Sequence, residues 1–324
     1  MSGKKILDFK QDIPDTLFST PKTPAKRVVY KDMIDSSIVD INIPSDSVFI
    51  KTDNIEDNNK IGEGDFYIVY KIKRSVNYNG DDTIKHDDTI KHDDTTKHDD
   101  SFIYTALKKS KSPIKNSLDL EFYKKEVNIL KSINSEFVTK FIDSFTYQSH
   151  FYIEIEYCNG GTLREYIYKI FYVQKKSIDT EILRNIIYDI SRGLKDIHSR
   201  GIVHLDIKPE NIYCVIKDNK YLFKIGDLNI STKIGEDILL DGDKRYMGPE
   251  VLRNICTPAS DVFSLGLIYL EISLGINLPK KGEMWHKLRK NDFKGLEIDT
   301  INKKMLHSNY KRRCKIEEVI RYFK

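Results

Sequence analysis

The stretch HLDIKPEN, residues 204–211, sets an aspartate, a lysine and an asparagine close together at Asp206, Lys208 and Asn211. Just before it, TEILRNIIYDISRGLKDIHSRG repeats apolar residues at Ile182, Ile186, Ile190, Leu194 and Ile197. That spacing predicts a long amphipathic helix, and Gly201 is the kind of residue that stops one. The polar triplet therefore belongs to a loop just past a helix end. Downstream, FKIGDLN brings Asp227 in directly after a strand-like run.

The rest of the chain divides around this loop. FYIVYKIK, SFIYTALKK and FVTKFIDSFTYQSHFYIEIEY read as strands, and SLDLEFYKKEVNILKSI reads as a helix with Leu118, Val127 and Leu130 on one apolar face. A strand-rich N-terminal half thus precedes a helical C-terminal half. DDTIKHDDTIKHDDTTKHDD, residues 81–100, repeats a short unit between two of the strands. Its histidines, His86, His92 and His98, suggest metal binding only weakly, because paired aspartates and low complexity describe a solvated loop insertion. Residues 1–52 hold Pro14, Pro21, Pro24 and Pro44 with no long apolar periodicity, so a disordered tail is expected, with Thr-Pro sites at Thr20 and Thr23.

Transfer of a phosphoryl group from a nucleotide needs positioned phosphates, neutralised charge and an oriented hydroxyl. Six short elements answer to those needs in order: IGEGDFYIVYK at 61–71, TALKK at 105–109, KKEVNIL around Glu126, HLDIKPEN, FKIGDLN, and YMGPEVL with DVFSLG. Taken singly, a Gly-x-Gly hairpin is usually a turn, a strand lysine a surface residue and a helix glutamate a solvent-facing one. Their joint order resembles that of the eukaryotic protein kinases. The resemblance implies a two-lobed α+β fold, with a β-rich N-lobe carrying one key helix and a mainly helical C-lobe, and it implies ATP and Mg2+ as cofactors. It makes Lys108 the cation on the α- and β-phosphates, held by Glu126. Asp206 would accept or orient the proton of the acceptor hydroxyl, Lys208 would neutralise the γ-phosphate, and Asn211 and Asp227 would hold metal. Ile61, Gly62, Glu63, Gly64, Val69, Ala106, Ile155, Glu156, Tyr157 and Cys158 would surround the nucleotide together with Lys108. Glu250 is expected to pair with Arg313, with Asp261 on the helix that follows the activation segment. Tyr67 replaces the third glycine of the Gly-rich loop, which should stiffen it and leave Phe66 to cover the phosphates. Asn229 replaces the glycine after Asp227 and Leu228, and asparagine tolerates positive φ.

Where many kinases place an arginine before the catalytic aspartate, to meet a phosphate on the activation segment, this chain has Leu205. The segment from Asp227 to Glu250 is short, and its middle, KIGEDILLDGDKR, has no serine, threonine or tyrosine. Both features imply a segment ordered without phosphorylation. YTALKKSKSP, EYCNGGTL, IHSRGIVHLDIKPENI, KIGDLN and EDILLDGDKRYM together resemble the Wee-type kinases, which inhibit mitotic entry; the likeness runs over about residues 53–324. Gly242-Asp243 is its sharpest part, since serine/threonine kinases usually put a threonine at Asp243. The implied acceptor is a tyrosine in the Gly-rich loop of a cyclin-dependent kinase. Two other classes stay open: a general serine/threonine kinase akin to the translation-initiation-factor kinases, and a pseudokinase scaffold. Lys208, two residues after Asp206, favours the former, while Asp243 and Leu205 oppose it. Retention of Lys108, Glu126, Asp206, Lys208, Asn211 and Asp227 opposes the latter.

The expected division is a tail over 1–52 and a kinase domain over 53–324, with an N-lobe at 53–156 carrying an insertion at 75–100, a hinge at 157–161 and a C-lobe at 162–324. A formal charge of +4, with acids interspersed, gives no basic face for nucleic acid. No apolar run reaches the ~20 residues of a membrane span. The four cysteines, Cys158, Cys214, Cys256 and Cys314, lack metal or redox spacing and read as reduced thiols. A soluble, monomeric protein of nucleus or cytoplasm is the expectation, acting on a protein substrate.

Overall fold

The computed structural model of the protein describes residues 59–75, 102–238, 240 and 242–324. The tail over 1–52, residues 53–58, the repeat over 81–100 and Asp241 lie outside them.

Five antiparallel strands, β1 (Lys60–Glu63), β2 (Tyr67–Ser75), β3 (Phe102–Ser110), β4 (Phe141–Tyr147) and β5 (His150–Glu156), make one sheet in the order β1-β2-β3-β5-β4. Gln148 and Ser149, both at positive φ, turn β4 into β5 in the manner of a two-residue hairpin. Helix α1 (Ser117–Ser132) starts at Asn116, whose side chain accepts the Asp119 N–H at 2.9 Å. It buries Tyr123, Glu126, Val127 and Leu130, whereas Leu118 is 59% exposed. The expected apolar face fails there because Leu118 precedes Val127 by about two and a half turns, which sets it on the opposite side of the helix.

Beyond β5 the chain becomes mainly helical: α2 (Leu163–Tyr168), α3 (Thr180–Ser199), α4 (Pro258–Leu274), α5 (Glu283–Arg289), α6 (Thr300–Met305) and α7 (Ile316–Phe323). Two small antiparallel ribbons lie among them, β6 (Ile202–Val203) with β9 (Thr232–Lys233), and β7 (Ile212–Lys217) with β8 (Lys220–Ile225). Asp179 caps α3 by accepting the N–H groups of Glu181 and Ile182, and Gly201 at φ +71° ends it. Ile186, Ile187, Ile190, Leu194 and Ile197 are fully buried, each worth roughly 1.5–3 kcal/mol of transfer free energy. Helix α4 is apolar nearly all round and buried along most of its length, the mark of a central helix. With α3 it forms the core on which the polar loop at 204–211 rests. The result is a two-lobed α+β kinase fold. No helix among the described residues is long and apolar enough to cross a membrane.

Candidate active site

Lys108 lies on the middle strand of the sheet, with Val69 beside it on β2 and Ile153 on β5. Its Nζ donates to Glu126 Oε1 at 2.5 Å and to Asp227 Oδ1 at 2.9 Å. Strand β3, helix α1 and the residues after β8 therefore meet at one ammonium. Burial works against that charge, but the carboxylates of Asp227 and Glu126 outweigh it and hold the Lys108 pKa above its ordinary value. Glu126 shifts upward through its own burial, only partly offset by Lys108. Asp227 shifts downward, because Lys108 more than compensates the cost of burial.

The loop carrying Asp206 is fixed from beneath. Asp261 of α4, fully buried, accepts the N–H groups of His204 and Leu205 at 2.8 and 2.9 Å, and His198 of α3 contacts the same carboxylate at 2.8 Å. Around Asp206, Oδ2 accepts from Lys208 Nζ at 2.7 Å and from Asn211 Nδ2 at 2.8 Å, and Oδ1 accepts the Asp243 N–H at 3.0 Å. Burial raises the Asp206 pKa, with Lys208 opposing. Lys208 is also penalised by burial, yet Asp206 lifts it to about 12. Two residues here, Leu205 at φ +67° and Asp227 at φ +61°, occupy the left-handed region. Strain of that kind gathers at functional loops. Asn229 is not in that region; the turn takes its left-handed residue at Asp227.

Gly242 lets the activation segment approach: a Cβ there would meet the Leu205 carbonyl oxygen at 2.5 Å and Asp206 Oδ1 at 3.0 Å. The Asp243 side chain turns away from Asp206 and holds Arg245 through Nε and Nη2, at 3.0 and 2.6 Å. Arg245 also reaches Glu210 at 3.1 Å, and Arg164 joins Glu210 at 3.0 Å to Glu271 at 2.7 Å and to the Tyr246 hydroxyl. Glu250 and Arg313 form a buried bidentate pair at 2.5 and 2.9 Å. Leu205 is buried with Val203, Met247, Val251 and Cys256, and Ile230 and Ile238 pack on that group. Arg164, Glu210, Arg245 and Glu271 escape a reading of the sequence, since the ties among them span 35 to 107 positions. Glu210, inside HLDIKPEN, and Arg245, inside EDILLDGDKRYM, had a positional signal.

The expected nucleotide residues lie on β1, β2, β3 and β5, in the turn between β1 and β2, and just after β5. Gly62 faces Val69 across β1 and β2, the Gly64 N–H donates to the Tyr67 carbonyl at 2.9 Å, and Ala106 pairs with Ile155. Ile61 is exposed, and Glu63 pairs with Lys60 and Lys111, which hold its carboxyl down at about 2. Glu156 takes Lys224 of β8 at 2.7 and 2.8 Å. Tyr157 meets Tyr104 at 6.3 Å between ring centroids. Cys158 is buried, its thiol pushed up to about 12 by burial and by Glu156.

A lysine–glutamate pair under a glycine loop, facing an aspartate–lysine–asparagine set on a helical lobe, defines a protein kinase. The protein kinase domain model matches residues 94–322, and the chain belongs to that family. It is 34% identical over 226 residues to the mitosis inhibitor protein kinase SWE1 of Candida albicans, covering 63% of this chain and 19% of that protein. Over 280 residues it is 30% identical to a probable protein kinase of Dictyostelium discoideum, covering 82% of this chain and 71% of that one. Wee1-like protein kinase 2 of Danio rerio is 32% identical over 226 residues, 63% of this chain and 42% of its own length. The chain thus spans less than half the length of these Wee1- and SWE1-named relatives.

Proposed function

We propose that this kinase uses ATP and Mg2+ to phosphorylate a tyrosine in the Gly-rich loop of a cyclin-dependent kinase, restraining entry into mitosis. The observation that carries the reading is the Gly242-Asp243 backbone seated against Asp206, in a chain similar to kinases named as mitosis inhibitors. Lys108, steadied by Glu126, would bind the α- and β-phosphates. Asp206, raised by burial, would take or orient the acceptor's hydroxyl proton, and Lys208 beside it would neutralise charge on the transferring group. A magnesium ion bound chiefly through phosphates and water needs one or two hard oxygen ligands from protein. The Asp227 carboxylate suits that need, as does the Asn211 amide oxygen, since Asn211 spends only its Nδ2 on Asp206. The nucleotide supplies the phosphoryl group and magnesium its charge neutralisation. The lobe boundary is proposed at residues 157–161, where Gly160 and Gly161 exchange backbone bonds with Cys214 at 2.8 Å.

Lys208 on Asp206 at 2.7 Å favours a second reading, a serine/threonine acceptor. Phospho-residue analysis of a cyclin-dependent kinase incubated with this protein, ATP and magnesium separates the two. Phosphotyrosine in the target's Gly-rich loop is expected. Phosphoserine or phosphothreonine alone would replace the tyrosine reading with the second.

A further inference from the structure

Tyr67 fills the third position of the G-x-G-x-x-G pattern, and no step proposed above uses its side chain. A residue there is expected to point at solvent or phosphates, yet Tyr67 is only 3% exposed. The face of its ring receives Lys108 Nζ at 4.4 Å from the centroid. Its edge meets Tyr123 of α1 at 5.6 Å and 62°, and Tyr123 in turn stacks on Phe151 of β5 at 5.6 Å and 10°. The preceding loop residue, Phe66, lies 5.2 Å from Phe122 of the same helix. Burial and then the neighbouring Glu126 carboxylate push the Tyr67 phenol far above its ordinary range, so the ring stays neutral.

We propose that Tyr67 is a positioning residue: its ring holds the Lys108 ammonium against Glu126 and locks the phosphate-covering loop to α1 through an aromatic ladder. The proposal rests on the reading of Lys108 and Glu126 as the pair that positions the nucleotide. A lysine side chain has several rotatable bonds and loses much freedom when fixed. Two carboxylates fix the Lys108 ammonium on two sides, and the π-face fixes it on another. A desolvated cation is held by an aromatic face more strongly than an exposed one. Where a glycine stands at this position, neither the cation–π contact nor the edge contact to α1 exists. Kinases commonly regulate that helix as a movable part; here the Gly-rich loop itself fastens it.

The test compares Tyr67→Phe, Tyr67→Leu and Tyr67→Gly in the full chain. Hydrogen exchange across α1 requires no acceptor and should rise in the Leu and Gly variants, while remaining at the wild-type level in the Phe variant. With a cyclin-dependent kinase as acceptor, Leu and Gly should lower kcat about tenfold and Phe less than about twofold. KM for the acceptor should stay unchanged in all three. A folded Tyr67→Leu protein with wild-type α1 exchange and kcat would overturn the proposal. So would a Tyr67→Gly variant faster than wild type, which would mean that the ring obstructs the phosphates. Lys108→Arg separates this idea from the site reading beneath it. Wild-type turnover in Lys108→Arg would sink the assignment of Lys108 itself, whereas an inactive Lys108→Arg beside a fully active Tyr67→Leu would sink only the role of Tyr67.

Discussion

Asp206 and Asp227 each take part in hydrogen bonds that asparagine can partly reproduce, so their substitution tests charge more than shape. Asp206→Asn and Asp227→Asn are expected to keep the melting temperature near wild type and to raise the barrier by about 3 kcal/mol or more, the usual cost of removing a positioned charge at a transferring group. Initial rates at saturating magnesium decide this; wild-type turnover in Asp227→Asn would remove that residue from the metal site. Lys108 behaves differently. Its sequence neighbourhood, TALKK, suggests a side chain reaching a nucleotide from a surface, but it is 6% exposed over a Glu126 that is 2% exposed. Lys108→Ala therefore leaves a buried carboxylate without its cation, and lost stability accompanies lost activity. Motif spacing named the residue; its burial depends on the Tyr67 ring packing over it and on α1 closing against it, contacts that motif spacing does not encode.

Strands and helices were largely legible because their periodicity is local, and the exceptions are contacts that a period cannot encode. Leu118 shows that apolar residues on a helix need a common face, not merely proximity in sequence. At β2 and β3 the ladder runs unbroken from Tyr67↔Ser110 to Ser75↔Phe102, so the repeat-bearing connection joins two ends already held together. Deleting residues 81–100 should change the melting temperature and kcat little, because loop length enters closure entropy only logarithmically. A large loss of either would show that the repeat contributes contacts to the sheet. Helix α3 carries a pH-sensitive contact that sequence alone does not reveal: Asp189, buried, accepts the Phe223 N–H of β8 at 3.0 Å. Burial pushes its carboxyl up to about 6, with Glu136 adding to the shift. Between its unfolded value near ~4 and that folded value the native state holds a proton that the unfolded chain has released. Its contribution to stability is thus present below the unfolded pKa and lost as pH rises through about 6. Asp189→Asn retains an acceptor oxygen and should flatten the fall; equal slopes of melting temperature against pH from 4 to 7 in both proteins would contradict this.

At the scale of the whole molecule, the activation segment is held by both the catalytic loop and the helices of the C-lobe. β9 pairs with β6, Glu236 contacts Thr232, and Asp237 accepts from Asn254. Asp243 and Arg245 tie the segment to Asp206 and Glu210, and α5 holds it through Trp285 and Arg289, which donate to the Lys244 carbonyl at 2.8 Å. The Glu250–Arg313 pair closes its far end. Leu205 supplies apolar contact where a phosphate-binding arginine would stand, packed with Met247, Val251 and Cys256. The hydroxyl residues flanking the middle of the segment, Ser231, Thr232 and Tyr246, are 0%, 4% and 2% exposed, and none is open to a modifying enzyme in this arrangement. Phosphate therefore has neither an accessible site here nor an arginine at position 205 to receive it. Leu205→Arg should not accelerate the kinase; it puts an unpaired charge into an apolar cluster, at a cost of about 3 kcal/mol or more in stability. Protein made in bacteria and treated with phosphatase should match untreated protein in initial rate. A large drop on dephosphorylation, traced to a phosphate between residues 230 and 247, would mean that the segment opens, is modified and closes again, and that these contacts alone do not order it.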